Sequence, residues 1–292
     1  MKMQPAIPVY AVLSTMKTDY QGGFKKLSDI GYKYIELLGA NPFAGKHLTE
    51  LYGAPEMKAL LTACGLTPIS FHEQAPELKT KDWDKLLSYC DGIGCQRIVL
   101  PNIWIRTREQ ALRLAGELDA AGRYMRQRGF TFVLHTHHLE FRRLPGGETL
   151  VDVILENTDP AHLEVEFDVI WALRGGADPV SELKKIGNRC RMIHQKDYRR
   201  DFSGAISFFE IMEREGLMES EDLLGIVQKY SQSREFFCTI GEGVFDVPGT
   251  LKKIADMGFV EYVIAENEEK GEHQFDVAQK EYDYLVHCLG RL

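Results

Sequence analysis

Short apolar runs alternate along this chain with longer amphipathic stretches. Eight such runs can be read, at 9–14, 32–38, 66–71, 97–101, 130–135, 163–168, 191–194 and 262–266. Each has strand length and is rich in β-branched or aromatic residues. The stretches between them are long enough for crossover helices, for example 109–128, and several end in a glycine shortly before the next run, as at Gly94 and Gly258. A left-handed residue at a helix C-terminus explains that placement. Strand and helix alternating eight times imply parallel strands joined by right-handed crossovers, and hence an α/β fold closed as a (β/α)8 TIM barrel, one domain over 1–292. The segment 198–250 exceeds a normal connection. It is predicted to form an enlarged loop after the seventh strand, with helices near 206–215 and 221–230, lying over the barrel mouth. A small interaction subdomain is the alternative for it.

Composition narrows the partners. The chain carries 43 acidic and 35 basic residues, a formal net charge of -8. Phosphate neutralisation needs clustered Lys and Arg, so a nucleic-acid partner is disfavoured. The six cysteines form no C-x-x-C pair and read as buried, reduced thiols. No window has the 18 or more apolar residues of a membrane span, and no secretory signal is read at the N-terminus. The expected location is cytoplasmic, with no membrane partner.

In a TIM barrel the active site forms at the C-terminal strand ends. There the chain places Glu36, His72 with Glu73, Asn102, His135 with His137, Asp168, His194 with Lys196 and Asp197, and Glu266. His135 and His137 are two apart and face one side of a strand. Glu164, Glu166 and Asp168 share a face. Asp168 belongs at the mouth, while Glu164 and Glu166 are left open as interior-layer or surface residues. Trp104 and Trp171 are candidates for an apolar wall beside these groups.

The segment HisThrHisHisLeuGluPhe, 135–141, is similar to the Tyr-His-Asn-His-x-x-Glu-Phe signature of xylose isomerase-like sugar isomerases and epimerases. IleHisGlnLysAsp (193–197) resembles their His-x-Lys-Asp strand. GlyGluGlyValPheAsp (241–246) resembles their Gly-Glu-Gly turn, and ValIleAlaGluAsn (263–267) their closing strand. Thr136 and Leu134 depart from the signature's Asn and Tyr, and Glu268 stands where an Asp is frequent.

The resemblance implies that Glu140, Asp168, His194 and Glu266 bind one divalent metal ion. Three carboxylates and an imidazole suit Mn²⁺ first, with Mg²⁺, Co²⁺ or Zn²⁺ as alternatives. The expected reaction is sugar isomerisation or epimerisation. A proton is lost next to a metal-bound carbonyl, giving an enediolate. His137 and His135 are the candidates for proton transfer, Lys196 for steadying the oxyanion, and Glu242 for a second base. Glu36, His72, Asn102, Trp104 and Asp197 are expected against a sugar or cyclitol substrate. A dehydratase or lyase acting on a keto sugar or inosose, including C-glycoside cleavage, shares the same first step. A non-catalytic sugar-binding or partner subunit is the reading from another class. A homo-oligomer is left open.

Overall fold

The computed structural model describes residues 2–75, 77–202, 204–218, 220–230, 236–268 and 272–292. Eight parallel strands close on themselves: β1 (Gln4–Pro8), β2 (Tyr34–Leu38), β3 (Thr67–His72), β4 (Arg97–Leu100), β5 (Thr131–His135), β6 (Glu164–Asp168), β7 (Cys190–Gln195) and β8 (Tyr262–Ala265). Around the barrel they run β1-β8-β7-β6-β5-β4-β3-β2. Helices follow the strands on the outside, as Tyr20–Ile30 does before β2 and Arg108–Arg126 before β5. The latter starts on a capping box, in which Thr107 and Gln110 satisfy each other's backbone amides.

Seven of the eight expected strands fall where the apolar pattern puts them. The first does not. Residues Val9–Val12 form a 3-10 turn, and the strand is the Gln4–Pro8 segment before it. That segment carries two prolines, which donate nothing to a ladder, so its strand character is weak in the sequence. The turn is apolar because Val9, Ala11 and Val12 are wholly buried behind the barrel mouth.

The barrel interior is layered. Ala6, Ile69, Val99, Val133, Met192 and Ile264 form a closed apolar plug. Along each strand the next inward position lies two residues on. A bulge in β3 alters that count. Ile35 opposes Pro68, but Glu36 opposes Ser70, so Ile69 is an extra residue. The shift turns both Ser70 and His72 inward, as bulges near functional sites do.

Between β7 and β8 lie a two-stranded ribbon, Asp197–Tyr198 with Phe237–Cys238, and helices Phe208–Arg214, Leu223–Tyr230 and Val247–Met257. Phe208, Met212, Ile226 and Val227 pack on Leu139 after β5, and Phe236 and Phe237 pack with Trp171 after β6. Arg106 ties the segment down from the β4 loop through the carbonyls of Met218 and Ser220. All six cysteines are free, four of them buried. No helix among the described residues is long and apolar enough to cross a membrane.

Candidate metal and proton-transfer site

Above the apolar plug, the next inward layer is ionisable. It comprises Glu36 from β2, His72 from β3, His135 from β5, Glu166 and Asp168 from β6, His194 from β7, and Glu266 directly after β8. Glu36, His135, Glu166, Asp168 and His194 are buried, and the side chains of His72 and Glu266 keep only a small exposed area. Burying so many charges is tolerable only when they pair.

Two groups of ligand atoms share His194. In one, atoms of Asp168, His194 and Glu266 lie within 4.8 Å of one another. In the other, atoms of His72, His135, Glu166 and His194 do. Glu166 Oε2 is the hub of the second, 2.8 Å from both His72 Nε2 and His135 Nδ1 and 3.3 Å from His194 Nε2. Glu36 accepts the Ser70 hydroxyl at 2.6 Å and lies 2.9 Å from His72 Nε2. Lys196 is buried with Nζ 2.7 Å from Glu266 Oε2, 3.2 Å from Glu268 Oε1 and 3.6 Å from Asp168 Oδ2.

The electrostatics follow from this crowding. Burial pushes the His72 imidazole down, but Glu36 and Glu166 outweigh it and raise its pKa to about 10. His194 is raised well above its ordinary value, because Glu166, Glu36 and Glu266 overcome burial. Burial raises Asp168 to about 7 despite Lys196. His137 goes the other way: burial, with His135 and His138 beside it, holds it well below the ordinary histidine value.

Does this donor set fit a divalent cation? Asp168 Oδ2, Glu166 Oε1 and His194 Nε2 are buried and have no hydrogen-bond partner. His194 Nε2 lies within ion-pair distance of Glu36 and Glu166, but without hydrogen-bond geometry to either. Buried polar atoms are normally satisfied, so orphans on residues of the two ligand-atom groups call for a partner. Carboxylates that recruit protons in the absence of a counter-charge mark a place where a cation competes with those protons. The set fits.

Of the four expected metal ligands, Asp168, His194 and Glu266 come together. Glu140 is in neither group. Its Oε2 accepts the His137 amide at 2.9 Å, its Oε1 has no partner, and burial raises its pKa to about 7. His72, His135, His137, Glu36 and Asn102 all line one cavity of about 470 Å³. Lys196 sits behind the wall.

Asp197 is buried elsewhere. It accepts the amides of Tyr198, Gly241, Gly243 and Phe245 at 2.8–3.2 Å, so it pins the Gly-Glu-Gly turn. Glu242 on that turn is exposed and paired with Lys280 at 3.0 Å, away from the cavity. Trp104 is half exposed and does not line it. Trp171 does, with its ring 5.6 Å from that of His137. Glu166 is the central residue that sequence reasoning left undecided. Its signal was parity with Asp168, two positions on.

The residue pattern of the family model for the xylose isomerase-like TIM barrel matches residues 24–288. The chain belongs to that family. Among curated proteins it is 31% identical over 144 residues to an inosose dehydratase of Geobacillus kaustophilus, covering 48% of this chain and 42% of that one. It is 28% identical over 171 residues to an inosose dehydratase of Clostridium tetani, covering 57% and 47%. The chain thus spans about half the length of the curated relatives it matches.

Among solved structures, a sugar phosphate isomerase/epimerase from Parabacteroides distasonis superposes with TM-score 0.69 at 21% identity, over 98% of this chain and 94% of that one. The IolI protein, solved with a binding zinc atom, superposes with TM-score 0.69 at 13% identity, over 100% and 99%. At these identities the superpositions establish the fold alone.

Proposed function

We propose that the chain is a divalent-metal-dependent enzyme that removes a proton from the carbon next to a carbonyl of a sugar or cyclitol. Asp168, His194 and Glu266 would hold the ion, Mn²⁺ being suited to an oxygen-rich set. A bound ion supplies Lewis acidity toward a substrate carbonyl.

The observation that carries this reading is a pair of histidines in one cavity whose pKa values are driven apart. His137 is neutral at pH 7 and free to accept a proton. His72 is protonated at pH 7 and able to give one. Environments that split titratable groups in this way define acid and base roles. His135, held by Glu166, positions the layer beneath. Lys196 orients Glu266 and Asp168 rather than touching substrate.

From the same first step, returning the proton to carbon gives isomerisation or epimerisation. Handing a proton from His72 to the hydroxyl one carbon further on, with loss of water, gives dehydration. The protonated His72 and the likeness to inosose dehydratases favour the second outcome.

The test is deuterium incorporation. Protein loaded with Mn²⁺ is incubated in D₂O with keto sugars and inososes, and product is followed by NMR. Label at the carbon next to the carbonyl is expected, with loss of water from the inosose. Exchange that persists undiminished after the metal is stripped would overturn the reading.

A further inference from the structure

The cavity has two unlike walls. On one side of the mouth, β1, β2 and the loops after them contribute Pro8, Tyr10, Leu13, Leu38, Pro42 and Phe43. In the strand order around the barrel, the β1–β2 junction is diametrically across from the β5–β6 junction, which carries His137 and Trp171. The apolar wall therefore faces the proposed base across the mouth.

That wall is built, not incidental. Phe43 sits on the ribbon of Ala40–Asn41 and Lys46–His47. Asn41 is buried and fixes the turn: its Oδ1 accepts the amides of Phe43 and Ala44 at 2.9 and 3.1 Å, and its Nδ2 donates to the Lys17 carbonyl at 2.8 Å. At the other end, His47 Nε2 lies 2.8 Å from Glu73 Oε2. This scaffold holds a phenyl ring 49% exposed at the cavity mouth.

Charge adds a second constraint. Glu36, Glu266 and Glu268 line the cavity, and no Arg or Lys does so among the described residues. Lys196, behind the wall, is already shared by three carboxylates. A phosphate or carboxylate on the substrate would find no guanidinium or ammonium group lining the cavity to grip it.

We propose that the cavity takes an uncharged two-part substrate. A polyol ring sits among His72, His137, His194 and Glu266, and an apolar, glycoside-like substituent lies against Leu38, Pro42 and Phe43. The proposal rests on the reading of the site above and narrows its substrate class. It sets this chain apart from enzymes of sugar phosphates.

Calorimetric binding to the intact protein tests it, with glucose, phenyl β-glucoside and glucose 6-phosphate as probes. Burial of a phenyl group predicts that the phenyl glucoside binds about tenfold to a hundredfold more tightly than glucose. The phosphate should bind more weakly than glucose at low salt. Phe43→Ala should remove most of the difference between glucose and its phenyl glycoside, and Phe43→Leu should restore part of it. Leu38→Gln should act in the same direction as Phe43→Ala.

Equal affinity for the two neutral probes would overturn the proposal, and so would tightest binding of the phosphate. A third contrary outcome is a Phe43→Ala protein whose mass in solution changes while its ligand discrimination does not. That would make the face a contact between copies. Because the readout is binding, it stands or falls independently of proton exchange.

Discussion

Glu266 Oε2 lies 2.5 Å from His194 Nδ1, although the two residues are 72 positions apart in the chain. Ligand atoms at right angles on an ion with bonds near 2.1 Å sit roughly 3 Å apart. The pair is therefore already near the spacing of neighbours in one coordination shell, with Asp168 completing the trio.

Asp168 has two duties that can be separated. Its Oδ1 caps the following helix, accepting the amides of Ile170 and Trp171 at 3.0 and 2.8 Å, while Oδ2 has no hydrogen-bond partner and only the Lys196 ammonium at 3.6 Å. Asp168→Asn keeps a capping oxygen and loses the charge. It should lower bound metal per chain, measured by mass spectrometry of the elements, with little change in melting temperature. Asp168→Ala should lose the metal and also about 1 kcal/mol of stability from the missing cap.

Removing the hub of the imidazole cluster should be costly to the fold itself. Glu166 Oε2 faces three histidines, two of which its charge helps to keep protonated. Glu166→Ala leaves those buried cations short of a counter-ion, and about 3–5 kcal/mol of destabilisation is expected in urea unfolding. The His72 imidazole, titrated by NMR, should also fall from its raised value. An unchanged His72 titration would refute the assigned pairing.

Among the described residues His137 belongs to neither metal group, and it is its backbone amide, not its ring, that bonds the Glu140 carboxylate. His137→Gln should reduce solvent exchange into substrate by about 10²–10⁴-fold while leaving metal content at the wild-type level. Loss of metal together with exchange would instead make it a structural residue.

Glu281 gives a pH signature outside the site. Buried behind β8, it accepts the Ile240 amide at 3.2 Å and the Asn267 side chain at 3.1 Å. Burial raises its carboxyl from 4.5 to about 7 in spite of those bonds. Below the unfolded value both states hold the proton and there is no penalty. Between 4.5 and about 7 the folded state keeps a proton that the unfolded state has lost, so stability falls as pH rises. Above that window the full penalty applies. Glu281→Gln should flatten this slope and add about 1–3 kcal/mol above pH 7, read from urea unfolding across pH.

The turn pinned by Asp197 offers a further check. Four backbone amides converge on this one buried carboxylate, and Gly243 packs so closely that an added Cβ would fall 2.1 Å from Asp197 Oδ1. Asp197→Ala should cost about 1–3 kcal/mol through the unsatisfied amides. Gly243→Ala should destabilise too. Neither should alter the metal stoichiometry of the folded fraction.

The chain's own pattern determined the barrel, because eight apolar runs separated by helix-length stretches leave few other ways to bury them. It also determined that ionisable residues crowd the strand ends, and that His194, Asp168 and Glu266 belong among them. The tertiary structure alone decided which of those tips meet. A bulge at Ile69, invisible to a period-two reading, turns His72 toward Glu166. Parity placed Glu166 beside Asp168, but only closure of the barrel surrounded it with three imidazoles. Glu140 and Glu242 lie in motifs as distinctive as the rest. One folds back onto the His137 amide and the other onto Lys280, because loop geometry beyond a strand end is set by contacts distant in sequence. Side-chain direction within a strand follows a local period, whereas convergence on a point depends on the closed ring of strands as a whole.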